Sequence, residues 1–422
     1  MSADTYDRQE NDTIMNYVKT VFSLTGTKIQ DFTASNNKIT SNFFRRLNVQ
    51  RNTYSLGNGI TFPKEGVKER FGKKFDSTIK NAGYYALIHG VSFPFIGDKL
   101  YFFKATEFAP LWDEETGVLR AGIRFWQIDS DKPMYMVLYE QDGYTKYRKD
   151  GEDVKIVDEK RSYLVTTQTT EADGVEVVSF DNYSSLPVVP LWGSPLHQST
   201  LVGLRSLIDS FDLIRSGFAN DLTDIAQIYF ILENFGGMRD EDIAKFRDRL
   251  KLTHIAEADT SSGGKITPYS QEIPFQARQA YLASLREGIY EGFGGFDTRS
   301  MSAAAKTATE IQSAYQPLDE EADDFEMQII ECVQSIGAVL GISEEDATPQ
   351  FKRNRVANQL ETVEALTAMS EYLDEETILK KLPYVDPDEI KEILRRKSEE
   401  DVDRFGVNRT TQNDEEGEED GI

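Results

Sequence analysis

The chain has 422 residues, 39% of them hydrophobic, one cysteine and a formal net charge of −25; this length implies two to four compact units. The lone Cys332 excludes an internal disulfide framework and a cysteine-built zinc centre, and the acid excess works against a module that grips nucleic acid. No apolar stretch reaches the about 18 residues of a membrane span, and acids precede the first apolar run where a signal peptide would be basic, so a protein with no membrane partner, used in a reducing compartment, is expected.

Ile14, Tyr17, Val18, Val21 and Phe22 fall at helical spacing and predict an opening helix. After "ITSNFFRRLNVQRNTYSLGNGITF", Gly57 and Gly59 mark a turn, and "FDSTIKNAGYYALIHG" predicts an amphipathic helix ending at His89 and Gly90. From there to about Ser185 the chain runs in short aromatic and β-branched stretches such as "AGIRFWQI", "MYMVLYEQDGYTKYR", "SYLVTTQT" and "VEVVSFDNY", with hairpin turns at 141–143 and 172–174. The first 200 residues therefore read as α+β with a twisted antiparallel sheet.

The proline-rich Ser185–Ser199 cannot be one helix. Beyond it Leu201, Leu204, Ile208, Phe211, Phe218, Leu222, Ile225, Tyr229 and Leu232 recur mostly at steps of three and four. They predict a helix of roughly 30 residues, about 45 Å long, stopping at Gly236 and Gly237. Its narrow stripe needs a partner, which Pro274–Phe293 supplies. Between the two, "DEDIAKFRDRL" reads as a helix, and "LTHIAEA" and "KITPYS" as paired strands around a Ser-Ser-Gly-Gly turn. Further on, "FEMQIIECVQSIGAVLGI" is a strongly apolar helix, and two or three amphipathic helices broken around Pro383 and Pro387 follow. The tail from Thr411 has six acids and no base, a composition expected to be disordered.

The residues offer no enzyme and no cofactor site. His89, His197 and His254 lie far apart, and no zinc-protease, nucleophile-elbow or Cys-x-x-Cys motif is present. "GVKERFGKKF" is one residue too long for a phosphate-binding loop and has Lys74 where magnesium needs Ser or Thr, while "GFGGFD" follows a helix rather than a strand. Acidic pairs such as Asp319 and Asp323, one helical turn apart, have a spacing that could hold a divalent ion but that arises easily by chance among so many acids, and hydrolysis through paired carboxylates is the enzyme alternative. The charge is patterned instead. No lysine or arginine lies between Lys306 and Lys352, an interval with 11 acids, and Arg299 and Lys306 are the only bases near the loop that precedes it. Few bases inside a repulsive surround suit a surface that DNA touches without being held.

The order of these segments resembles the portal proteins of tailed bacteriophages, especially the long-tailed siphophage type, from about Asn42 to Glu400. The resemblance is carried by "FFRRLNVQRNTYSLGNGITF", "AGYYALIHGVSF", "PVVPLWGSPLHQSTLVGLRSLIDSFDLIRSGFANDLTDIAQIYFIL", "ITPYSQEIPFQARQAYLASLREGIYEGFGGFD" and "LDEETILKKLPYVDPDEIKEI". It implies a predominantly helical α+β portal fold that assembles as a ring, usually of twelve subunits, at one capsid vertex, with double-stranded DNA passing through its axis. Residues 1–200 and the long helix 307–342 would form the wing, 201–235 and 273–294 the stem, 236–272 the clip, 295–306 the tunnel loop, and 343–400 the crown, ahead of an acidic tail at 401–422. By position Arg299, Ser300, Met301, Ser302 and Lys306 would face DNA. Arg239, Lys245, Arg247, Arg249 and Lys251 of the clip would meet the packaging terminase and later the head-completion adaptor. Leu204, Ile208, Phe211, Phe218, Leu222 and Ile225 would form the stem contact between subunits. Major capsid and scaffold proteins are the other implied partners, in the host cytoplasm during assembly and then in the virion. The alternative without an enzyme is an oligomeric virion or scaffold protein lacking an axial channel.

Overall fold

The computed structural model describes residues 2–22, 26–30, 35–169, 176–225, 229–233, 241, 245, 265–269, 274–301, 308–354, 367–368, 374–381, 390 and 392–397. Its helices are α1 (Ser2–Asp7), α2 (Asp12–Met15), α3 (Phe43–Leu56), α4 (Val67–Phe71), α5 (Phe75–His89), α6 (Arg205–Ile225), α7 (Phe275–Phe293), α8 (Thr298–Met301), α9 (Ala308–Val339) and α10 (Glu375–Lys381). The chain divides into a large unit, Met1–Ser300 with Ala314–Asn354, and a small one, Met301–Ser313 with Arg355–Ile422. No described helix is long and apolar enough to cross a membrane.

The large unit is organised by the apolar stripe of α9. Tyr315, Leu318, Ala322, Phe325, Ile329, Cys332, Val333 and Ile336 recur at helical spacing and are all buried. From Phe325 onward this face packs on Ile79, Ala82, Ala86 and Leu87 of α5 in the largest apolar cluster. A second cluster joins Phe43, Phe44 and Leu47 of α3, Ile208 of α6, and Ile289, Tyr290 and Phe293 of α7. Each side chain of this size contributes about 1.5–3 kcal/mol when fully buried, so the two clusters dominate the unit's stability.

The strands form a separate aromatic layer. Phe108–Trp112, Leu119–Gln127, Met134–Glu140, Gly143–Asp150 and Asp153–Arg161 make a five-stranded antiparallel meander. Val91–Ile96 pairs with Leu100–Lys104 and Leu191–Trp192 beside it. Phe93, Phe103, Phe108 and Tyr139 fill a third cluster. Glu140 pairs with Gly143 across a two-residue loop, which is the expected hairpin. The turn expected at 172–174 lies outside the described residues.

Three expectations need correction. The opening helix is broken: Asn11 caps α2 through the Thr13 and Ile14 N–H groups, and the chain then runs as strand Thr20–Phe22 against Lys28–Gln30. The break lets Asn11 donate to Asp209 and Asp212 of α6, both at 3.0 Å. The long stem helix ends by Ile225 within the described residues, because Tyr229–Glu233 is a strand; the aromatic and β-branched run "YFIL" wins over its helical spacing. It pairs with Lys265–Tyr269, so "KITPYS" is a strand with a partner other than "LTHIAEA", which lies outside the described residues. Finally, Gln350–Phe351 pairs with Ile60–Thr61, so the chain up to Asn354 belongs to the large unit rather than to the C-terminal helices.

In the small unit α10 is capped by Asp374, which accepts from the Thr377 N–H at 3.1 Å, and Arg396 pairs with Glu392 one turn away. The acidic tail lies outside the described residues.

Gly122 has no room for a side chain: a Cβ there would stand 2.0 Å from Phe108 Cζ. Gly122→Ala is expected to destabilise the large unit by about 1–3 kcal/mol, read as a lowered urea midpoint. An unchanged midpoint would mean that Phe108 can leave its place at no cost.

Candidate functional site

The expected tunnel loop leaves α7 through Gly294, whose φ of 66° is the left-handed conformation that closes a helix cheaply only with glycine. Its root is then held from three sides. Gln50 on α3 donates to the Phe296 carbonyl at 2.9 Å and accepts the Phe296 N–H at 3.0 Å. The Phe296 ring stacks on Tyr315, with centroids 4.3 Å apart, and Tyr315 stacks on Tyr54. Arg286 on α7 grips Asp297 with two hydrogen bonds of 3.0 and 2.7 Å, a fork geometry that fixes direction as well as charge. Asp297 Oδ1, which accepts from Arg286, also takes the Arg299 N–H at 3.0 Å.

Below the root lies a buried cation. Arg51, 4% exposed, donates to the Phe293 carbonyl, pairs with Glu321 at 2.9 Å and covers the Phe293 ring at 4.2 Å. Burial weakens its hold on its proton, and Glu321 opposes that effect. The arrangement can hold a short exposed segment in one place.

The carboxylates of Asp319 and Asp323, whose spacing could have held a divalent ion, are engaged by a side chain. Arg353 donates to Asp319 at 3.0 Å, to Asp323, and to both oxygens of Glu326 at 3.0 and 2.9 Å, and Tyr54 donates to Asp319 at 2.6 Å. The Glu326 hydrogen bonds lead the influences that raise the Arg353 pKa. Among the described residues no group of acids, histidines or cysteines is arranged to hold a metal ion.

The sequence profile of a family described as "Phage portal protein, SPP1 Gp6-like" matches residues 2–403. The chain belongs to this phage portal family. A portal protein of Clostridium phage phiCD119 is 30% identical over 242 residues, covering 55% of this chain and 52% of that protein; the chain thus aligns with about half of that relative. The portal protein of Bacillus phage SPP1 is 23% identical and covers 96% of this chain and 84% of its own length. A solved chain from the neck of a native GTA particle, computed with C12 symmetry, aligns with 82% of this chain and 90% of its own at 9% identity, with a TM-score of 0.41.

The portal-family residues singled out by position are scattered in their surroundings. Arg299 is exposed in α8, while Ser300 and Met301 complete that helix. Ser302 and Lys306 lie outside the described residues, as do Arg239, Arg247, Arg249 and Lys251; Lys245 is helical and exposed. Leu204 and Ile208 are buried in the chain's own core, so packing within the subunit uses these two rather than a neighbour, while Phe211 packs against that core and stays partly open. The Phe218 ring meets that of Phe275 of α7 at a tilt, with centroids 5.6 Å apart, and Leu222 is 56% exposed. Ile225 is the last residue of α6. The sequence reading missed Gln50, Arg51, Asp297 and Arg353. Arg51 had a signal: it follows Leu47 by four residues and precedes Tyr54 by three, on the apolar face of α3, where a charge must be paired.

Removing the guanidinium in Arg353→Ala leaves Asp319, Asp323 and Glu326 facing one another and is expected to cost about 2–3 kcal/mol, less than a fully buried pair because Asp323 is exposed. Arg353→Lys should recover only part, since one ammonium cannot reach three carboxylates; chemical denaturation of the three proteins checks this order. Asp297 is held below the usual carboxylate range: burial works against its charge, and the hydrogen bonds from Arg286 and the Arg299 N–H outweigh it. The clamp is therefore complete above the ordinary value of 3.8 and is lost as pH falls through the depressed one. Asp297→Asn is expected to speed amide exchange at Phe296–Arg299 at neutral pH, with wild type approaching the variant only in strong acid.

Proposed function

We propose that the chain is the subunit of a cyclic portal at one capsid vertex, probing neither substrate nor cofactor but forming the conduit for double-stranded DNA during packaging and ejection. The family match across residues 2–403 carries the reading. The ring, usually of twelve, docks the packaging terminase and then the head-completion adaptor, and sits among capsid and scaffold proteins, in the host cytoplasm during assembly and afterwards in the virion. It performs no catalysis of its own. Residues 1–200 with the long helix serve as the wing, α6 and α7 as the stem, the intervening residues as the clip, and the C-terminal helices as the crown.

The held root at Phe296–Asp297 supports a tunnel loop at this point, because a protruding segment near moving DNA needs a fixed base. Arg299 is its described cation, with Ser300, Met301, Ser302 and Lys306 along the same loop. The acid excess fits weak contact: each base that meets a phosphate releases roughly one counterion, so a loop with two bases holds DNA only briefly.

Negative-stain microscopy with native mass measurement of the purified chain tests the reading. Rings with an axial hole of about 20 Å or more, wide enough for a duplex, are expected; closed oligomers without a channel would favour the scaffold alternative and overturn it. Deleting Thr298–Ala304 is expected to leave ring size unchanged and reduce DNA packaging or retention. Normal genome filling would remove the loop from the path of the DNA.

A further inference from the structure

Arg46 on α3, Arg215 on α6 and Arg299 on α8 line one cleft of about 650 Å³, and no aspartate or glutamate is among its lining residues. Phe43, Phe211 and Leu282 form its apolar walls. Arg286 also lines it, but its charge is engaged by Asp297. Arg46 and Arg215 are exposed, and neither forms an ion pair among the described residues. On a chain of net charge −25, the exposed guanidinium groups of Arg46 and Arg215 in a cleft with no acid in its lining mark a local reversal of the field. Their planar forks suit carboxylates or phosphates.

The chain itself carries a surface of the complementary kind. Glu320, Asp324, Met327 and Glu331 are exposed on α9, at steps of four, three and four that place them on one face. This stripe offers three acids and one flexible apolar knob. It lies on a helix of the first apolar cluster, whereas Phe43 and Phe211 of the cleft belong to or pack on the second. Two complementary but different patches on one subunit make a head-to-tail contact, which closes into a ring when the rotation permits.

We infer that the arginine cleft of one subunit receives the Glu320–Glu331 face of α9 from a second copy, with Met327 against the apolar walls and the carboxylates against Arg46 and Arg215. The contact rests on the portal reading and specifies which surfaces join. It also meets an electrostatic need, since subunits of −25 repel one another unless charges of opposite sign are matched where they touch. A DNA phosphate is the weaker occupant, because it would approach against the same net charge.

The experiment is a charge exchange followed by native mass and negative stain, with circular dichroism to confirm folding. Arg46→Glu with Arg215→Glu is expected to raise the concentration for half-assembly by about tenfold or more, and Glu320→Arg with Asp324→Arg, on an exposed helix face, to do the same. Combining both pairs is expected to restore rings. Rings unchanged in either pair, or absent from the folded combination, overturn the contact while leaving the portal reading in place. A wild-type chain that gives no channel-bearing ring removes the portal reading and the contact with it. Arginine variants that keep ring assembly but lose retention of duplex DNA assign the cleft to phosphate and overturn the proposal.

Discussion

The buried guanidinium of Arg51 is the point on which the large unit turns. It rises from α3 and meets the last carbonyl of α7 and Glu321 of α9, so three helices far apart in sequence share one charge. A cation held at 4% exposure is tolerable only while these partners stay in place, because losing one leaves a buried charge uncompensated. The same contact holds the Phe293 carbonyl directly before Gly294 turns the chain into the loop. Helix packing and the placement of the loop root thus share one constraint.

Around that point the acid excess is managed locally. Arg353 gathers Asp319, Asp323 and Glu326, and Arg286 holds Asp297. In both cases one guanidinium serves several acceptors, which a lysine could not do with the same directional fit. Glu310, Glu320, Asp324 and Glu331 of α9 face solvent, while its other side is apolar and buried. A helix with eleven acids in its neighbourhood can therefore still lie across a core: the charge is segregated by face rather than reduced.

The loop root shows how a fixed base and an open tip coexist. Phe296 stands at the end of a row of stacked rings with Tyr315 and Tyr54 and is hydrogen-bonded at both its backbone groups by Gln50. Three residues later Arg299 is exposed. For a conduit this division is useful, since contact with a moving polymer then transmits force to the helices instead of to an unanchored strand.

The sequence by itself determined the helices whose local signals and burial agree. Phe75–His89 ends at a glycine, Phe275–Phe293 follows a proline and ends at a glycine, and α9 carries its stripe without interruption; periodicity is a local property and survives without knowledge of neighbours. The hairpin at Gln141–Gly143 and the family resemblance were legible for the same reason. Tertiary structure decided the rest. Tyr229–Glu233 has helical spacing yet forms a strand, because it pairs with Lys265–Tyr269, a partner more distant in sequence than any local periodicity can register. The spacing of Asp319 and Asp323 would allow a cation, but it is the guanidinium of Arg353 that meets them, together with Glu326. Leu204 and Ile208, expected between subunits, are consumed inside one. An apolar or charged side chain declares in the sequence that it needs a partner, but which partner it meets is settled only when distant segments are brought within a few ångströms.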